Sequence, residues 1–262
     1  MQESRQPISK HLTEVKHRLL LLSALGVVFF TIAWIFRVEL TDFYLLPLSP
    51  VLKKIAGKVV VTKVFDLFLL HVKTSIFVTI LALLPVALYS FWGFLAPGLH
   101  EHEKKTLRAL LVLGSSLFYL GVIICYFTFI PFVLHFFIDY WSNSSPLLEK
   151  MQVPQELLLS LPDYVSFTQT FLLIFGPLFE FPLIIYGLYS MGVISIEDLT
   201  QYRRHAIVIC FVASAIFTPP DPISMVCMGI PMVLLYELGI FICKKMEKRA
   251  AVPSSALAMV KP

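Results

Sequence analysis

Charge is scarce in this chain: only 15% of its residues are Asp, Glu, Lys or Arg, against about a quarter in soluble domains. A charged or disordered solvated chain is thereby excluded. Cysteine is sparser still, with four residues (Cys125, Cys210, Cys227, Cys243), all inside apolar stretches and none in C-x-x-C spacing. They read as small packing residues, so a disulfide framework or a zinc site is not expected. The seven histidines show no ligand spacing beyond His100 and His102, and HEHEK lacks the two-His arrangement of a zinc helix. No metal and no cofactor are expected, and no internal repeat relates the first half to the second.

Apolar residues, by contrast, make up 58% of the chain. Counting runs of about 20 mainly apolar residues gives six spans, at 19–36, 74–95, 109–133, 166–190, 206–217 and 223–243. The fold expected is a single all-α polytopic membrane domain over 1–262, with six kinked transmembrane helices, two of them short. The fifth run, HAIVICFVASAIF, is short enough that a partial span is the competing reading. Pro85, Pro131, Pro177, Pro182 and Pro231 interrupt spans and predict kinks. Placing both termini on the cytoplasmic side puts 14 Lys and Arg inside against 7 outside, the sign that orientation follows in most membranes. The external segments 37–73 and 139–165 read as partly helical and interfacial, as FYLLPLSPVLKKIAGKVV suggests. MQESRQPISK lacks the Arg- and Ser-rich tract of a transit peptide, so a bacterial inner membrane is favoured over an organelle.

Five charged positions stand out chemically. Glu14 precedes the first span in HLTEVKHRLL, where pairing with Arg18 four residues on is the plain structural account. Glu103 opens the third helix in GLHEHEKK and is less neutralised by following lysines than Glu101; acids are in any case welcome at a helix N-terminus. Two carboxylates at the edges of two helices, on a face rich in Lys and Arg, could each take a guanidinium fork. Lys-bearing ligands fit that arrangement less well. Asp221 follows Pro219 and Pro220 and precedes Pro222 in a turn that it could cap. Glu180 stands alone in FLLIFGPLFEFPLIIYG, and Glu237 lies in LLYELG, where it could pair or snorkel. A carboxylate in mid-membrane costs about 2.5–3.5 kcal/mol or more on insertion scales, so Glu180 reads as a polar handle for a partner helix.

These motifs together resemble the TatC family, the multispanning receptor of the twin-arginine protein translocase. HLTEVKHRLL resembles its H-L-x-E-L-R-x-R-L signature, and FWGFLAPGLHEHEKK its F-x-x-P-x-L-x-x-H-E-[RK]-[RK] loop. FGPLFEFPL resembles F-G-x-x-F-E-x-P, and AIFTPPDPIS with IPMVLLYELG resembles the T-P-P-D turn and the final P-x-x-x-L-[YF]-E. Lys16 stands where the family usually has Arg, and Val15 where it has Leu.

The resemblance implies a non-enzymatic role. The chain would bind Arg-Arg signal peptides of folded cargo at the cytoplasmic face, for export driven by the proton-motive force. Its partners would be single-span TatA/TatB-type proteins, membrane lipids and further copies of itself, with no nucleic acid. Glu14 and Glu103 match the signal-recognition carboxylates, with Phe94, Arg18 and Lys16 beside them. Pro47 and Asp221 match loop positions tied to function, and Glu180 the polar position of the fourth span. The rival reading is a proton-coupled small-solute carrier using Glu180, Glu237 and Asp221. An intramembrane hydrolase finds no nucleophile with its base.

Overall fold

The computed structural model describes the backbone of residues 8–50, 58–95, 101–143, 158–218 and 222–258. Side chains are described over 16–50, 58–90, 111–141, 158–218 and 222–248. In chain order the elements are α1 (Ile8–Ile35), α2 (Arg37–Leu45), β1 (Lys58–Val60), α3 (Asp66–Leu95) and α4 (Glu101–Ile124). A π-helical turn (Cys125–Phe129) continues into α5 (Ile130–Asn143). There follow β2 (Leu158–Ser160), α6 (Leu161–Phe179), α7 (Phe181–Ser190), α8 (Ile196–Gln201), α9 (Arg203–Phe217) and α10 (Pro222–Ala258).

Five stretches are long and apolar enough to cross a membrane: Lys16–Ile35, Asp66–Ser90, Leu111–Trp141, Leu161–Ser190 and Pro222–Lys248. The fifth span expected, 206–217, is α9, whose 15 residues rise only about 22 Å at 1.5 Å each. It falls short of the roughly 30 Å hydrocarbon core and is not among the five.

Three expectations need correction. The second span starts at Asp66 rather than at residue 74, because α3 starts there. Asp66 Oδ2 accepts hydrogen bonds from the Lys63 backbone N–H (3.1 Å) and the Thr62 hydroxyl (3.2 Å), closing the first turn from its own side chain. His71 and Lys73, which lower the local hydropathy, therefore lie inside a helix. The fourth span likewise begins at Leu161, with Pro162 and Asp163 in its first turn, positions suited to both residues. Thirdly, the fold is not purely helical. β1 and β2 pair in parallel, with Lys58 opposite Leu158 and Val60 opposite Ser160. Of the stretch 43–60, α2 covers the beginning and β1 the end; residues 51–57 lie outside the described residues.

The prolines act differently from site to site. Pro85 lies inside the continuous α3 and Pro177 inside α6. Ahead of Pro131 the chain adopts the π turn, which absorbs the missing N–H and the clash with residue 127. At Pro182 the helix breaks outright, and α6 gives way to α7 at Glu180.

The chain forms two compact units, Met1–Ser116 with Ile130–Phe171, and Leu117–Phe129 with Leu172–Pro262. In the first, α1 packs along α3 in antiparallel fashion. Trp34 meets Phe68 edge to face at 5.8 Å, and the Arg18 guanidinium at the opposite end donates to the Ser90 carbonyl. In the second, Ile185, Ile196, Leu199, Tyr236, Ile240 and Cys243 form a buried cluster where α7, α8 and α10 meet.

Candidate functional site

The Arg18–Ser90 hydrogen bond organises one end of the first unit. Arg18 is half-buried on α1, and the carbonyl it engages lies a little over one turn before the end of α3. Glu14 sits one turn before Arg18 on α1, and Phe94 one turn after Ser90 on α3. The antiparallel pairing thus brings the backbones of Glu14 and Phe94 to the same end, and α4 opens from that end with Glu103 in its first turn. The side chains of Glu14, Phe94 and Glu103 lie outside the described residues, as does Asp221. Lys16 is exposed on α1. The Arg18 guanidinium makes a contact within the protein, between α1 and α3.

Glu180 occupies the joint of the fourth span. Its N–H donates to the Pro177 carbonyl at 3.1 Å, and its own carbonyl accepts from Leu183 and Ile184 at 2.9 Å each. The residue starts the first turn of α7 with Pro182 buried behind it. Its half-buried side chain makes no capping bond. The carboxyl therefore stands at a break in the helical ladder, where backbone polarity is already concentrated.

Glu237 is paired rather than solitary. Its Oε1 lies 2.9 Å from Arg203 Nε, both side chains partly exposed. The preceding Tyr236 donates its hydroxyl to the Leu199 carbonyl at 2.7 Å. Consecutive residues of α10 thus clamp the end of α8 and the start of α9. Pro47 is buried in the turn after α2, beside the fully buried Leu48. Tyr164 of α6 reaches this neighbourhood, donating to the Tyr44 carbonyl at 2.7 Å.

The structure also reveals a polar seam that sequence reasoning missed. Thr74 and Ser75 on α3 and Thr168 on α6 are fully buried, and Gln169 is nearly so. Gln169 Nε2 donates to Thr74 Oγ1 at 3.0 Å. Its signal was present in HVKTSIFVT and YVSFTQTF, where hydroxyl and amide side chains interrupt otherwise apolar runs at helical spacing.

Five apolar helical stretches of spanning length, interrupted within the spans by a π turn and by the break at Glu180, define a multi-pass α-helical membrane protein. The family model that matches is "Sec-independent protein translocase protein (TatC)", over residues 10–231. Among curated proteins, the TatC of Magnetococcus marinus is 31% identical over 97% of this chain and 90% of its own length. The TatC of Escherichia coli K12 is 34% identical over 91% of this chain and 88% of its own length. The crystal structure of the twin-arginine translocase receptor TatC in DDM superposes with a TM-score of 0.70 at 32% identity. It covers 88% of this chain and 98% of that one. The chain belongs to the TatC family, a family of non-enzymatic protein-translocase components. The small-solute carrier reading falls with that membership.

Proposed function

We propose that this protein is the receptor and core subunit of a twin-arginine translocase, taking Arg-Arg signal peptides at the end of the first unit that carries Glu14, Phe94 and Glu103. The observation that supports the reading is the Arg18–Ser90 hydrogen bond, which joins the end of α1 that carries Glu14 to the end of α3 that carries Phe94. A carboxylate on α1 and another on α4 offer one fork acceptor to each guanidinium of an Arg-Arg pair. Phe94 adds an aromatic position on the end of α3. Arg18 acts through α3 as a positioning residue, and Lys16 contributes to the field around the carboxylates.

In this reading both termini are cytoplasmic, the membrane is a bacterial inner membrane, and the proton-motive force drives transport. Glu180, at the break between α6 and α7, docks a single-span TatA/TatB-type helix. Further copies of the chain assemble around it, and Pro47 and Asp221 serve as the loop positions that the family ties to function.

The test is photo-crosslinking from probes beside Glu14 and Glu103 to a signal peptide bearing Arg-Arg, with a Lys-Lys peptide as control. Crosslinks that form with Arg-Arg, weaken with Lys-Lys and vanish in the Glu14→Ala, Glu103→Ala double variant are expected. Equal crosslinking of both peptides, or none, returns the two glutamates to helix capping.

A further inference from the structure

In the first unit a cavity of about 70 Å³ lies between the opening turns of α3 and α6. Asp66, Leu69, Leu70 and Lys73 line it from α3, and Pro162, Val165, Ser166 and Gln169 from α6. Each set follows the same i, i+3, i+4, i+7 spacing, one face of a helix. The parallel β1–β2 pair, a few residues ahead of both helices, sets the two faces side by side.

Four of the eight lining residues are polar, and two carry charge. Asp66 uses Oδ2 for its bonds to Thr62 and Lys63. Gln169 uses Nε2 for its bond to Thr74. Lys73, exposed, lies within the Asp66–Ser90 span, where an ionisable group is tolerated against water rather than lipid. A cavity holds a water when it offers about 10–15 Å³ and two to four polar partners. This one exceeds the first requirement several-fold and meets the second.

We propose that the cavity is a hydrated vestibule, carrying water from the membrane face of the β1–β2 pair down between α3 and α6 to the buried Gln169–Thr74 hydrogen bond. Gln169 lies about 12 Å along α6 from Leu161 at 1.5 Å per residue, a good third of the way into a hydrocarbon core about 30 Å thick. The ligand class is water and the small hydrophilic solutes that travel with it. The site is independent of the signal-peptide reading and shares none of its residues.

The test uses the full chain in membrane vesicles, with Cys125, Cys210, Cys227 and Cys243 replaced by alanine and single cysteines introduced one at a time. The probe is a small permanently charged ammonium methanethiosulfonate, which reacts with a hydrated thiolate. Ser166→Cys and Gln169→Cys should react at least about tenfold faster than Ile76→Cys and Leu173→Cys, whose native side chains point out of the protein. Ser166→Cys leaves the Gln169–Thr74 bond intact and guards against misfolding in the other variant. Adding Ser166→Phe to Gln169→Cys should slow labelling to the rate of the outward-facing controls. Reaction at both positions no faster than those controls, or fast reaction at 169 that Ser166→Phe leaves untouched, overturns the proposal.

Discussion

The two units hold their helices together by different means. In the first, side-chain hydrogen bonds cross between elements: Gln169 to Thr74, Tyr164 to the Tyr44 carbonyl, Arg18 to the Ser90 carbonyl. In the second, close approach is added to the Tyr236–Leu199 bond and the Glu237–Arg203 pair. A Cβ added to Gly121 would lie 2.6 Å from the Phe175 carbonyl oxygen, one on Gly176 2.3 Å from the Phe118 ring, and one on Gly229 2.7 Å from Phe211. The buried hydroxyls of Ser214 and Thr218 satisfy themselves within α9. Lipid is as apolar as leucine, so helices in a bilayer gain little from burying apolar surface and associate through tight packing or interhelical hydrogen bonds. This chain leans on interhelical hydrogen bonds in the first unit and adds close packing at glycines to them in the second.

Breaking the second device should cost most. Gly121→Ala sets a methyl against a backbone oxygen that can move only with α6, and overpacking of that kind costs about 1–3 kcal/mol. Thermal unfolding in detergent should show it. Gly176→Ala should cost less, because the atoms it meets belong to the Phe118 side chain, which can rotate. Equal losses for the two would mean that α6 is free to shift and that the packing is not the constraint.

The first device should yield smaller effects. Tyr164→Phe leaves the buried Tyr44 carbonyl without this donor, a loss of about 1–3 kcal/mol at most. Gln169→Leu should cost about 0.6 kcal/mol, the average for interhelical bonds in a membrane protein, since Thr74 can turn its hydroxyl back to its own helix. A loss from Gln169→Leu exceeding that from Gly121→Ala would invert the comparison.

At the rim of the second unit, Glu237→Gln removes a partly exposed ion pair worth about 0.2–1 kcal/mol, whereas Tyr236→Phe tests the buried half of the same clamp. The smallest effect is a pH dependence. Ser195 donates its hydroxyl (2.7 Å) and its N–H (3.0 Å) to Asp198 Oδ2 and accepts the Asp198 N–H in return. These bonds hold the Asp198 carboxyl below its ordinary value. A group depressed on folding lends its stability above the unfolded value and loses it as pH falls through the folded one. The start of α8 should therefore fray only in acid below the usual aspartate range, read as faster amide exchange at Leu199, whose N–H donates to the Ser195 carbonyl at 3.2 Å. Ser195→Ala should move that onset to higher pH.

Much of this was legible in advance. Long apolar runs announced the spans, because in lipid a backbone must satisfy itself and a helix does so locally. Pro182 announced the break beside Glu180, since the missing N–H is a property of the residue itself. Family motifs located Glu14, Phe94 and Glu103 in the chain. The start of α3 was harder to see, because hydropathy falls at His71 and Lys73 while the capping bonds of Asp66 carry the helix past them. The β1–β2 pairing was invisible: three-residue strands 100 positions apart have no local periodicity to betray them. Glu237 illustrates the same limit. Its charge was conspicuous, but its partner Arg203 lies on another helix.

What the sequence by itself determined about this protein is therefore its material: membrane-spanning helices, the places where proline interrupts them, and the family they belong to, all consequences of local chemistry and near neighbours. Only the tertiary structure decided the pairings, with Arg18 spent on Ser90, Gln169 bonded to Thr74 and glycines admitting a neighbouring helix. Each of those joins groups far apart in the chain, and which partner a side chain meets depends on how the backbone brings distant helices to within a few ångströms.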